Sequence, residues 1–161
     1  MLYFNGCIIK EGLIMKSVFE QDAQKELTER LNRLKAESAA QWGKMNASQM
    51  LAHCALTLQV PVGDLTIKPT FLRHIGRFFK SMAVNDKPFS KNSPTAAEFL
   101  IVNERDFNTE KKRFVDAFNK VSAGEQTVKV FNHAFFGPMK AGEWGKHMYK
   151  HIDHHFKQFG V

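Results

Sequence analysis

The sequence lacks the features of a disulfide-stabilised, membrane-spanning or phosphate-loop protein. Only two of its 161 residues are cysteines, Cys7 and Cys54, too few for a disulfide framework. No apolar run is long enough to cross a bilayer, and no secretory signal is evident. Neither a glycine-rich phosphate loop nor a G-x-S-x-G nucleophile elbow occurs. We therefore expect a protein of the reducing cytoplasm.

The composition predicts one globular domain. Apolar residues make up 43% of the chain, and its length is sufficient for a self-supporting core. Fifteen phenylalanines against two tyrosines indicate an aromatic interior with few phenolic hydroxyls. The formal charge of +7 favours anionic ligands, but the basic residues are spread along the chain. We therefore expect no nucleic-acid partner and no membrane partner.

The first fourteen residues, MLYFNGCIIKEGLI, differ from the rest. The codons for Lys10 to Gly12 would resemble a ribosome-binding site just upstream of Met15. Residues 1–14 are therefore interpreted as a possible gene-model extension, with an N-terminal arm as the alternative. The domain is expected to occupy residues 15–161.

Apolar residues recur every three or four positions in four long segments, which is the period of an amphipathic helix. Asn46 and Gln49 have the spacing of a capping box that opens the second segment. On the first segment, Arg30 falls on the side expected to face water. The four predicted helices are about 17–36, 46–60, 107–123 and 142–161.

A short basic segment follows the second predicted helix. Residues 68–91 contain six lysines and arginines against the single Asp86. Large apolar residues recur there at helical spacing, at Phe71, Leu72, Ile75, Phe78, Phe79 and Met82. We interpret the segment as a helical insertion that packs its apolar face on the other helices and solvates its basic face. A helix lying on a membrane surface, or one bordering the mouth of a pocket and favouring an anionic ligand, is the alternative.

Histidines are concentrated at the end of the chain. Four of the seven lie within nine residues: His147, His151, His154 and His155. Residues four apart on an α-helix differ by about 40° in azimuth and about 6 Å along the axis. His151 and His155 could therefore hold one metal ion, and so could His147 and His151. His53 lies on or beside the inward face of the second helix, where a third ligand would be needed.

Three imidazoles with an open coordination position are typical of a catalytic zinc-type site. Neutral imidazole also suits nickel, copper and iron, so the ligand type alone does not select the metal. A Cys–His nucleophile is disfavoured, because Cys54 directly follows His53 and the two side chains diverge by about 100° on a helix.

Several motifs together resemble the DinB-like superfamily. They are WGKMNASQMLAHC at 42–54, FGPM at 136–139, Glu143-Trp144, and HIDHHFKQFGV at 151–161. The resemblance spans roughly residues 15–161, and within the superfamily it is to a small bacterial branch labelled as a domain of unknown function. It implies an all-α four-helix bundle, often dimeric, here with a short extra basic helix after the second helix.

The resemblance also implies the ligands and the class of activity. A divalent metal, zinc or nickel, is expected on His53, His151 and His155, with His154 pointing elsewhere and His147 as a spare. Relatives of this type include metal-dependent transferases and isomerases that use low-molecular-weight thiols. The expected function is a thiol-transferase or hydrolase acting on a small molecule, with a non-catalytic metal- or ligand-binding stress protein as the alternative. A homodimer is possible.

Overall fold

The computed structural model describes residues 15–69, 71 and 73–161, and residues 1–14, interpreted above as an extension or arm, lie outside that range. The protein is mostly helical, as predicted. Within the described residues, no helix combines the length and the apolar content needed to span a bilayer. The helices are α1 Gln21–Arg33, α2 Ala47–Gln59, α3 Arg73–Gly76, α4 Lys80–Val84, α5 Phe107–Ser122 and α6 Ala141–Gln158. Single 3-10 turns occupy Arg77–Phe79, Ala97–Phe99 and Glu125–Thr127.

A small antiparallel hairpin precedes α6. Its strands are β1 Asn132–His133 and β2 Gly137–Pro138, and Asn132 faces Pro138. Trp144 donates from Nε1 to the carbonyl oxygen of Val130 at 2.6 Å, which ties α6 to the chain before the hairpin.

The helix boundaries follow local capping and contacts. The predicted capping box of α2 is confirmed, because Asn46 and Gln49 exchange hydrogen bonds of 2.9 and 3.0 Å. Helix α1 begins four residues later than predicted. The N–H of Val18 donates to the carbonyl oxygen of Gly145 on α6, which holds the preceding segment as a turn. Gly145 permits this approach, since a Cβ there would lie 2.3 Å from the hydroxyl oxygen of Ser17.

The core lies between the four long helices. Helix α2 packs on α5, and α6 contacts both α1 and α2. The large apolar residues of α6 recur every three or four positions, and they are buried together with Phe159, which caps the helix: Trp144, Met148, Ile152 and Phe156. Arg30 was expected to face water, but it is buried. Its guanidinium pairs with Asp153 at 2.7 Å and donates to the Val161 carbonyl oxygen at 2.9 Å, so its charge is compensated.

The basic segment is helical but interrupted, and its favoured interpretation was wrong. Its described large apolar side chains point outward: Phe71, Ile75, Phe78, Phe79 and Met82 are all exposed. The buried positions are instead Gly76 and Ala83. Lys150 of α6 fixes the segment, donating to the Asn85 carbonyl oxygen at 3.0 Å and to the carbonyl oxygen of Met82. The segment therefore packs through its small residues and backbone.

Candidate metal centre

Three histidines from two helices meet in one place. The ring Nε2 atom of His151 lies 3.0 Å from that of His53 and 3.1 Å from that of His155. His151 and His155 are one turn apart on α6, and His53 reaches them from α2. The structure thus brings together the three predicted ligands, in a group that could hold a metal ion.

The outer nitrogens of His53 and His151 are both held by hydrogen-bond acceptors. His53 Nδ1 lies 2.9 Å from the carbonyl oxygen of Phe99, which can only accept. His151 Nδ1 lies 3.1 Å from the hydroxyl oxygen of Thr57. When that hydroxyl gives its own hydrogen to the carbonyl oxygen of Cys54 at 2.9 Å, it accepts from the imidazole. In this arrangement both rings carry their proton on Nδ1.

The outer nitrogen of His155 has the same arrangement. It lies 2.8 Å from the amide oxygen of Gln158, whose NH₂ group donates to the carbonyl oxygen of Trp42 at 2.6 Å. Gly43 makes room for this contact, because a Cβ there would lie 2.4 Å from the Gln158 nitrogen, and its φ of +82° favours glycine. His155 is thus also protonated on Nδ1, and Gln158 orients it from one turn away.

The three Nε2 atoms that meet in this cluster each have a lone pair and no N–H among them to donate to it. With Nδ1 protonated on His53, His151 and His155, each Nε2 offers only a lone pair to its neighbours. Lone pairs at 3.0–3.1 Å repel one another unless a cation lies between them. Ligands about 2.0–2.1 Å from a tetrahedral zinc ion would be separated by about 3.3–3.4 Å. The two separations that involve His151, 3.0 and 3.1 Å, are slightly shorter than that.

The imidazoles are also held in the neutral form that a metal requires. Burial lowers the pKa of His155 to about 3 and lowers the pKa of His53. Burial, followed by the neighbouring imidazoles, places the pKa of His151 well below its ordinary value. Neutral imidazole is the ligand form, so no proton has to leave when a metal binds near neutral pH.

The three histidines differ in burial. His53 and His155 are buried, whereas His151 is partly exposed. Among the residues that the structure describes, no further histidine, cysteine or carboxylate joins the three as a possible ligand. Three protein ligands with free positions are the pattern of a catalytic rather than a structural site.

His147 and His154 lie next to the group without belonging to it. The ring of His147 is nearly parallel to that of His151, with centroids 6.4 Å apart. Its Nδ1 is buried and has no hydrogen-bond partner among the described residues. The ring of His154 lies 5.6 Å from Trp42 and 5.9 Å from Phe89. Neither histidine takes the place of a ligand in this arrangement.

Cys54 does not contribute a nucleophile. Its thiol is buried within 3.7 Å of the Met50 sulfur, and burial raises its pKa far above the ordinary value. A thiol held neutral in this way is unreactive. The sequence-based exclusion of a Cys54–His53 pair agrees with this placement.

A cleft of about 190 Å³ lies on the His154 side of α6, and its lining includes none of the three clustered histidines. His154 lines it, and its ring is 5.3 Å from that of His155. The lining is mostly aromatic and basic, and consists of Trp42, Pro88, Phe89, Lys91, Lys150, Asp153, His154 and Lys157. The basic segment was expected to border such a pocket with its own cations. The helical part of the segment, residues 73–84, does not line the cleft. The loop that ends the segment does, through Pro88, Phe89 and Lys91, and the other two lysines come from α6.

The residues that support the ligands were not identified from the sequence. Thr57 stands four residues after His53, a spacing that puts the two side chains on one face of α2. Gln158 stands three residues after His155, a spacing that puts the two side chains on one helix face and could have identified it. The carbonyl of Phe99 carries no signal in the sequence.

Comparison with known proteins gives one result. No curated protein and no solved structure matches the chain. Residues 15–160, which contain all three histidines of the centre, match the family described as "Protein of unknown function (DUF1569)". Because the match covers most of the sequence, the chain belongs to this family.

Proposed function

We propose that His53, His151 and His155 bind one divalent metal ion through their Nε2 atoms. The observation that carries the proposal is the convergence of three lone pairs whose rings are all fixed by acceptors at Nδ1. Metal-binding histidines usually donate their other ring N–H to such an acceptor, which fixes the orientation of the ring. Zinc and nickel both suit three neutral nitrogen ligands.

We further propose that the centre is catalytic and acts on a small molecule, with thiol transfer or hydrolysis as the reaction class. A group of only three possible ligands and the cleft on the His154 side support this, because a substrate needs both a free metal position and a place to lie. A metal ion bound there would lower the pKa of a coordinated water or thiol. The chain's own residues orient the three imidazoles and keep them neutral.

The resemblance of the two histidine motifs to DinB-like proteins supports the same proposal. In that superfamily, helices corresponding to α1, α2, α5 and α6 form a four-helix bundle around such a site. We therefore propose a bundle of that type. A cytoplasmic location, a small-molecule partner, a low-molecular-weight thiol cosubstrate and a homodimer remain predictions on the same basis.

A non-catalytic metal- or ligand-binding protein is the second candidate. The observation that favours it is the make-up of the ligand group, which contains neither a carboxylate nor a cysteine to act as an acid, base or nucleophile. Nearby Asp153 is engaged by Arg30 and Lys157. In this case the cleft would hold a ligand that is bound but not transformed.

Metal analysis of protein purified without a histidine tag tests the metal proposal. We expect one ion per chain, and the absence of stoichiometric metal after incubation with zinc or nickel would reject the site. Substitution with cobalt(II) then separates the two candidates. Addition of a small thiol should produce a sulfur-to-cobalt charge-transfer band if a position is open. A cobalt spectrum that changes with neither a small thiol nor azide would indicate that no coordination position is open, and would favour the non-catalytic protein.

A further inference from the structure

The basic segment presents its apolar side chains to solvent. The relative exposures are 78% for Phe71, 51% for Ile75 and 72% for Phe78. Phe79 and Met82 continue the same stripe at 47% and 51%. Five of the nine exposed large apolar side chains among the described residues thus lie within twelve consecutive positions. A patch of this kind on a soluble domain usually marks an interaction site.

Packing of the small residues fixes this orientation. A Cβ on Gly76 would lie 2.2 Å from the carbonyl oxygen of Phe135, so only glycine allows the contact with the hairpin. Ala83 is fully buried on the same side. Lys80 pairs with Glu143 at 2.7 Å, and Lys150 holds the carbonyl groups at the end of α4. Rotation of the segment to bury Phe78 would replace these small residues with large ones.

The charge around the stripe has one sign. Residues 65–85 contain four lysines and arginines and no aspartate or glutamate. Arg77 lies against the ring of Phe78, with its guanidinium 4.9 Å from the ring centroid. Asp64, which precedes this stretch, is paired with Lys120 at 2.6 Å. Glu143 compensates Lys80, and Asp86 follows the stretch directly. Arg73 and Arg77 form no ion pair among the described residues, and these two cations border the exposed aromatic side chains.

Exposed apolar side chains bordered by cations favour one kind of binding partner. A second copy packed face to face would bring the same cations against each other, which opposes association. Duplex DNA would use the cations but would leave the phenylalanines without an apolar partner. The headgroup region of a bilayer that contains anionic lipid satisfies both, because apolar side chains insert while lysine and arginine pair with phosphates.

We infer that Phe71 and residues 73–84 form a peripheral docking surface for a membrane rich in anionic phospholipid. The apolar stripe enters the headgroup boundary, and the flanking cations contact the lipid phosphates. Phe135, at the hairpin against which Gly76 packs, extends the surface. This inference departs from the sequence-based expectation of no membrane partner. It does not rest on the metal centre, whose ligands lie on α2 and α6.

Co-sedimentation with vesicles tests the inference. The full chain is mixed with vesicles of phosphatidylcholine alone or of phosphatidylcholine with phosphatidylglycerol, at low and at raised ionic strength. We expect binding to the anionic vesicles that weakens as salt rises. Each cation near such a surface contributes about a fivefold gain in partitioning, so Arg77→Gln should reduce binding by about fivefold. The double variant F71S/F78S should reduce it tenfold or more, because burial of two aromatic side chains is lost.

Matched controls use exposed residues outside the segment. Val102→Ser removes an apolar side chain that is 86% exposed, and Lys35→Gln removes one positive charge from an exposed position. Both should bind anionic vesicles as the wild type does. Equal binding to neutral and anionic vesicles, or full binding by F71S/F78S, would overturn the inference. So would light scattering that shows a dimer dissociated by F71S/F78S, or DNA binding lost in Arg77→Gln without any vesicle binding.

Discussion

Two regions that both contact α6 arrange their side chains in opposite ways. Around the three histidines, each outer nitrogen has an acceptor and only the inner lone pairs lack a donor. Along the basic segment, small residues face the protein and large apolar ones face water. Each region thus leaves one kind of interaction unsatisfied. The first points to a cation and the second to an apolar, anionic surface.

Substitution of the proposed ligands should have the largest effect. His151→Ala or His155→Ala should abolish stoichiometric metal binding, because two lone pairs remain where three converged. The loss of metal affinity should exceed the roughly 10–100-fold that follows when a residue that hydrogen-bonds to a ligand is replaced. His154→Ala is the matched control, since this ring faces Trp42 and Phe89, and it should keep nearly full affinity. Titration calorimetry with zinc measures all three, and an equal loss in each would reject the ligand assignment.

Metal binding should also stabilise the fold. At a free metal concentration about 100 times Kd, the free energy of unfolding should rise by about 2.7 kcal/mol. For a chain of this size the midpoint of thermal unfolding should then rise by roughly 5–10 °C. Differential scanning fluorimetry with and without zinc measures the shift. His155→Ala should show none, and an equal shift in that variant would indicate metal binding elsewhere.

Removal of the outer acceptors should weaken the site without destroying it. Thr57→Val removes the partner of His151 Nδ1, and Gln158→Leu removes that of His155 Nδ1. Each should lower metal affinity about 10–100-fold, or about 1.4–2.7 kcal/mol. Thr28→Val, which changes an exposed threonine on α1, should leave affinity unchanged. If Thr57→Val and Thr28→Val have the same affinity, the tautomer argument fails.

The stability of the metal-free protein should fall in mild acid. Burial lowers the pKa of His133 to about 3 and that of His147 to about 4, against about 6.5 in the unfolded chain. The unfolded state alone therefore takes up protons as the pH drops below about 6.5. Stability is complete above that pH and is lost towards pH 4, by up to about 1.4 kcal/mol per pH unit for each histidine.

Urea unfolding in the presence of a chelator at several pH values measures this slope. His133→Gln should make the free energy of unfolding depend less steeply on pH. The variant lacks one imidazole whose pKa differs between the folded and the unfolded protein. His74→Gln, at an exposed position in the basic segment, should leave the slope unchanged. A slope that does not respond to His133→Gln would mean that other groups cause the acid sensitivity.

The sequence predicted the first region better than the second. The three-and-four spacing on α6 identifies its buried stripe, and the four-residue step identifies His151 and His155 as neighbours. That His53 meets them depends on how α2 packs, and the resemblance to a known family supplied this. The spacing of the apolar residues in the basic segment predicts that they share one helix face. It does not indicate whether that face is buried or exposed to solvent, because the spacing is the same in both cases. Gly76 and Ala83, opposite the phenylalanines, are the signal that was missed.

Substitution of an exposed phenylalanine in the basic segment should have the smallest effect on stability. Phe78→Ala should change the free energy of unfolding by less than about 1 kcal/mol, since the ring is 72% exposed and its cation–π contact with Arg77 is at the surface. Phe118→Ala is the matched control in the core, where the ring stacks on Phe114 with centroids 5.9 Å apart. It should cost about 3–5 kcal/mol. Urea unfolding of both variants measures the difference. If Phe78→Ala cost as much as Phe118→Ala in the isolated protein, the ring would already be packed against something, and the outward face would not be free to dock.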